Sequence, residues 1–140
     1  MNSRLVLILA AAALTAGCGL TGTPPTEQPA ESGRMTIDGH TAMTRTVECT
    51  QNQWLLQIDT AGDQGNARVL VELGGERPVV TSVNVEGIDD HYGVADSEVG
   101  EAKAAVTDGD VYTISGTLVG SDVTTPGETR DMSFEIKAPC

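Results

Sequence analysis

Three cysteines, two histidines and one dense run of carboxylates are the side chains through which this 140-residue sequence could do chemistry. The run is "GIDDHYGVADSE", which gathers Asp89, Asp90, His91, Asp96, Ser97 and Glu98 into one short segment. Carboxylate oxygens beside an imidazole are ligands for a divalent cation, so Asp89, Asp90, His91 and Asp96 are the candidates for a metal site. Their spacing does not follow the Asp-x-Asp-x-Asp-Gly order that wraps a chain around Ca²⁺. A solvated acidic loop, with no metal and no other cofactor, is the expectation. The second histidine, His40, follows the turn dipeptide Asp38-Gly39 and reads as an exposed loop residue. Hydrolysis needs a nucleophile beside a base that a third group orients. The sequence holds no Gly-x-Ser-x-Gly elbow, and the reading is of a protein that is not an enzyme.

Cys18 stands directly behind Leu14-Thr15-Ala16-Gly17, at the close of an apolar run that starts at Leu5. Arg4 supplies a short positive region ahead of it, and small residues precede the cysteine, the pattern of an export signal over residues 1–17. The run is about a dozen residues long, well short of the roughly 20 that cross a bilayer. "TAGC" resembles the bacterial lipobox, in which the cysteine sulfur takes a diacylglyceryl group before cleavage, although Thr15 replaces the usual aliphatic residue. Cys18 is then the lipid attachment site and the partner of that end of the chain is the bilayer. One acyl chain binds a membrane only marginally, and two or three anchor it.

With Cys18 acylated, Cys49 and Cys140 remain, an even number in an exported chain. No Cys-x-x-Cys is present and no histidine lies near either residue in sequence. A structural disulfide is therefore favoured over a two-cysteine metal or redox site. It would close a loop of nearly the whole domain.

Residues 18–34 read as the lipidated cysteine and a tether. "GLTGTPPTEQPAESGR" has three prolines, three glycines and one large apolar side chain, Leu20, too little to offset the entropy of ordering. Thr21, Thr23, Thr26 and Ser32 are candidate O-glycosylation acceptors among those prolines. The chain carries 20 acidic against 8 basic residues, a net charge of −12. Loss of residues 1–17 removes Arg4 and no acid, which takes the charge to −13. Such a balance excludes nucleic acid as a ligand, because phosphate has to be neutralised by Lys and Arg.

Residues 35–140 alternate in strand fashion with turn signals between the runs. Val47 and Cys49 share one parity, and Trp54, Leu56 and Ile58 another. Ala67, Val69, Val71 and Leu73 precede Gly74-Gly75, and Val79, Thr81, Val83 and Val85 follow. After the acidic stretch, read as irregular, come Ala102, Ala104 and Val106, then Tyr112, Ile114 and Leu118, and last Met132, Phe134 and Ile136. Asp108-Gly109 between two such runs favours a hairpin over a short helix at 99–106. The fold class is all-β: a small antiparallel sandwich or flattened barrel of about seven short strands with one disulfide.

The order "MTIDG", "VECT", "PVVTSV", "GEAKAAVTDGDVYTISGTLVGSD" and "SFEIKAPC" resembles the mycobacterial 19-kilodalton lipoprotein antigen family of LpqH type, from the lipobox to Cys140. The tether is shorter and poorer in Thr and Ser than in the best-known member. The resemblance implies an acylated, outward-facing lipoprotein of the cell membrane, lipidated on Cys18 and bridged Cys49 to Cys140; the surplus of negative charge favours a monomer. It also implies recognition of the acylated amino terminus by a host receptor, Toll-like receptor 2, and no enzymatic activity. The alternative is a β-domain that carries an envelope lipid or glycolipid in an apolar cavity, for which the scarcity of aromatics leaves little room.

Overall fold

Apolar and polar residues alternate along nine antiparallel strands: β1 (Arg34–Ile37), β2 (His40–Asn52), β3 (Leu55–Gly62), β4 (Gly65–Glu72), β5 (Val79–Ile88), β6 (His91–Ala95), β7 (Glu101–Thr107), β8 (Val111–Asp122) and β9 (Arg130–Pro139). The computed structural model describes residues 33–107 and 109–140. The expected signal peptide, the lipidation candidate Cys18 and the candidate acceptors Thr21, Thr23, Thr26 and Ser32 lie outside the described residues.

Strands β1 to β6 pair in succession, β6 pairs with β8, β8 with β9, and β9 returns to β1. Eight strands thus close a barrel, as the all-β reading anticipates. The ninth, β7, pairs only with the first half of β8. Because β6 occupies the second half of the same edge, β6 and β7 lie end to end along β8, separated by the loop 96–100.

Two strands exceed the seven counted from alternation. The Asp38-Gly39 turn, with φ of 51° and 85°, splits the first run into β1 and β2. The other addition is β6, inside the stretch read as irregular. Its inward positions are His91, Gly93 and Ala95, which an apolar count passes over. The segment at 101–107 is strand, not helix. Parity also changes along β5. Leu70 faces Ser82 and Val71 faces Val80, so Thr81 is an extra residue, a β-bulge. The bulge turns Val79 and Thr81 outward while Val83 and Val85 stay buried.

The barrel is filled. Met35, Ile37, Ile58, Val69, Ile114, Leu118, Met132 and Ile136 are all fully buried and belong to one core cluster. Outward positions carry Thr36, Asp59, Arg68, Glu86 and Glu135. An apolar inside and a polar outside reverse the arrangement of a lipid-embedded barrel. Closure between β6 and β8 depends on Gly120, which faces Gly93. A Cβ at Gly120 would overlap the carbonyl oxygen of Tyr92.

The disulfide completes the wall where hydrogen bonding runs out. Strand β1 has four residues and separates β2 from β9. Above Arg34 that spacer ends, and a Cβ on Gly33 would meet Thr44 and Val47 of β2 and the Lys137 carbonyl of β9 together. Cys49 of β2 and Cys140, just past β9, are bonded across this seam with Cα atoms 5.7 Å apart.

Candidate functional site

Two tight turns bring the histidines together. Asp38-Gly39 joins β1 to β2 and Asp89-Asp90 joins β5 to β6, each a two-residue loop with positive φ at both positions, the type I′ geometry. His40 and His91 are the first residues after these turns. Their strands, β2 and β6, stand four places apart in the ring of eight, so the side chains meet across one mouth of the barrel. The ring centroids are 5.4 Å apart with planes inclined by 32°.

Asp89 holds both rings. Its carboxylate Oδ2 lies 2.9 Å from His40 Nδ1, and its main-chain carbonyl oxygen lies 2.7 Å from His91 Nδ1. His91 is 7% exposed, whereas the His40 side chain is 58% exposed. Asp90 is exposed and is tied in through its backbone, its carbonyl accepting from Val123 N.

An ionic clamp flanks the pair. The Arg130 guanidinium donates to Asp38 Oδ2 at 2.7 Å and to Asp122 Oδ2 at 2.9 Å. Both carboxylates raise the arginine further above its ordinary value, Asp38 the more strongly. Asp122 Oδ1 accepts from the amides and hydroxyls of Thr124 and Thr125. Hydrogen bonding by Thr124 first, then Arg130 and Thr125, holds the Asp122 carboxyl far below the usual carboxylate range.

Of the four acidic-stretch candidates, the structure brings Asp89 and His91 together and separates Asp96 from them by the length of β6. Asp96 caps its own loop instead, accepting from Glu98 N at 2.7 Å and Val99 N at 3.0 Å, and these bonds lower its pKa. Among the described residues no group of three or more His, Cys, Asp or Glu side chains is arranged to hold a metal ion. The residue that sequence reasoning left out is His40. Its signal was the repetition of Asp-Gly-His at 38–40 and Asp-Asp-His at 89–91, two turn dipeptides each followed by an imidazole.

A second feature lies in the wall. Where β6 ends at Ala95, the first half of β5 has no ladder partner on that side, and β7 leans toward it without pairing. Between them is an open cleft of about 720 Å³, lined by Val79, Val80, Ala95, Ala102, Lys103 and Gly116 among others.

Known proteins share this sequence pattern. A putative lipoprotein of Mycobacterium indicus pranii is 30% identical over 130 residues, 92% of this chain and 91% of that protein. The probable lipoprotein LppE of Mycobacterium tuberculosis is 28% identical over 147 residues and both chains are covered completely. Lipoprotein LpqH of Mycobacterium tuberculosis is 35% identical over 117 residues, 79% of this chain and 70% of that one. The Mycobacterium 19 kDa lipoprotein antigen family matches residues 26–140, which takes in the whole barrel and both bridged cysteines. The chain belongs to that family.

Proposed function

We propose that this protein is a lipid-anchored, outward-facing display module of the cell envelope, acylated on Cys18, and that it performs no catalysis. The observation that carries this reading is the emergence of the chain at Gly33 from the seam of a closed, filled barrel. A core of fully buried apolar side chains and a seam closed by a covalent bridge suit a domain whose surface is what other molecules meet. Cys18 precedes Gly33 by fifteen residues, a reach of roughly 46 Å if the proline-rich segment is extended at about 3.1 Å per residue. The relatives named above are all lipoproteins, which supports the anchor. Host recognition through the acylated amino terminus by Toll-like receptor 2 follows from the family resemblance.

Intact-mass spectrometry of protein from native membranes tests the anchor, with Cys18→Ser in parallel. The expected mass begins at Cys18 and includes diacylglyceryl and fatty acyl groups. The Cys18→Ser protein leaves the membrane fraction and loses stimulation of a receptor reporter cell. Recovery of Cys18→Ser in the membrane fraction at the level of the unaltered chain would overturn the reading.

A carrier role is the second reading, and the cleft between β5 and β7 favours it, because its wall is mostly apolar and it opens to solvent. Native mass spectrometry separates the two: a co-purifying envelope lipid supports the carrier and a bare polypeptide mass supports the display module.

A further inference from the structure

We propose that His40 and His91 together ligate one divalent transition-metal ion of the zinc class through their Nε2 atoms, across the closed mouth of the barrel. The chemistry begins with the hydrogen on each ring. A main-chain carbonyl only accepts, so the Asp89 oxygen 2.7 Å from His91 requires the proton on Nδ1. An ionised carboxylate likewise only accepts, and Asp89 Oδ2 at 2.9 Å places the proton of His40 on Nδ1 as well. In its neutral form each imidazole then presents an Nε2 lone pair. A ring nitrogen held by a carboxylate or a backbone carbonyl, with the other nitrogen free, is the support found behind metal-bound histidine, where it fixes ring orientation and raises basicity.

Separation is the second argument. A Zn–N bond is about 2.0–2.1 Å and the ring centre lies about 1.2 Å behind the nitrogen, so two imidazoles on one tetrahedral ion have centroids about 5.2 Å apart. His40 and His91 stand at 5.4 Å. Access is the third. Every fully enclosed side-chain nitrogen or oxygen in the described residues has a hydrogen-bond partner. The hydrogen bond of His91 is at Nδ1, so its Nε2 is not among the fully enclosed atoms, although the residue as a whole is 7% exposed.

Two nitrogen donors select against Ca²⁺ and Mg²⁺, which take oxygen ligands, and favour a borderline ion. No third protein side chain converges among the described residues, so water or an outside ligand fills the remaining positions. Asp89 is a positioning residue: it touches the rings and not the ion.

The test uses the mature chain with Zn²⁺ as the only added metal, in a buffer that does not bind zinc, at pH 7.5. Long-range ¹H–¹⁵N spectra of the imidazoles are expected to show the Nε2 signals of His40 and His91 moving together and saturating at one equivalent. Competition against a chromophoric chelator gives the affinity, which falls at least tenfold in His40→Gln and is lost in acid, since an imidazolium has no lone pair. His91 is buried and its replacement endangers folding, so the exposed His40 carries the comparison, with circular dichroism confirming the fold. Asp89→Asn is expected to weaken binding less than His40→Gln while leaving both Nε2 signals responsive. Nε2 signals that stay still in millimolar Zn²⁺, or a folded His40→Gln chain that binds zinc as tightly as the original, overturn the proposal.

Discussion

Asp89 and Asp122 show how much one aspartate organises at the closed mouth of the barrel, the first holding one imidazole by its carboxylate and another by its main-chain carbonyl, the second holding two threonines and an arginine by its carboxylate. The sequence made Asp89 and His91 visible as neighbours. It could not show that His40 joins them, because that contact crosses the barrel between strands that start 51 residues apart, and a histidine after Asp-Gly looks like any loop residue. Asp96, equally acidic and nearby in sequence, is spent on its own loop. For Asp122 the physical consequence concerns acid. Its folded-state pKa lies below the unfolded value of about 3.9, so its contribution is fully present above that value and is lost as pH falls through it toward the folded value. The melting temperature of the unaltered protein is therefore expected to drop between pH 5 and pH 2, and the drop is shallower in Asp122→Asn, which starts from a lower melting temperature at pH 7. Calorimetric scans across that range check the sign; an equal slope in both proteins contradicts it.

At the scale of strands, alternation was readable wherever inward positions are aliphatic, as in β3, β4 and β9. It failed in β6, where the inward residues are His, Gly and Ala, and in the first half of β5, where a bulge reverses parity. Bulges and glycine contacts depend on a neighbouring strand, and one chain read alone does not display that neighbour. Gly120 is such a position. Its substitution by Ala sets a methyl group against the Tyr92 carbonyl in the ladder that closes the barrel, and a backbone oxygen cannot rotate away as a side chain can. Gly120→Ala is expected to cost about 1–3 kcal/mol, the range for overpacking, read as a lower urea midpoint. Gly109 is the control in the opposite sense: its Cβ would meet nothing, so any cost there comes from its φ of +91° alone.

For the whole molecule, the all-β class and the pairing of Cys49 with Cys140 were legible because alternation and cysteine number are local or countable properties. Ring closure was not, since it rests on β9 with β1 and β6 with β8, pairings that no turn in the sequence announces. The bridge spans 91 residues, and a loop of that size carries about 4–5 kcal/mol in the chain-entropy account. The paired substitution Cys49→Ser with Cys140→Ser is expected to lower stability by about 2–5 kcal/mol, measured by urea unfolding under non-reducing conditions, and the single-tryptophan chain supplies the signal through Trp54, 67% exposed. A chain equally stable without the bridge would show that hydrogen bonding alone closes the seam.

The short β1 at that seam has a mechanical side. Residues 33–48 lie outside the covalent loop that Cys49 and Cys140 define. Tension on the amino-terminal chain therefore unzips β1 from both flanking strands and then strips the start of β2, but the peeling halts at Cys49. A pull between the amino terminus and Cys140 runs through the bridge and not through the chain between the two cysteines, so under such a load the domain yields first in a small sacrificial flap and the looped remainder bears no tension.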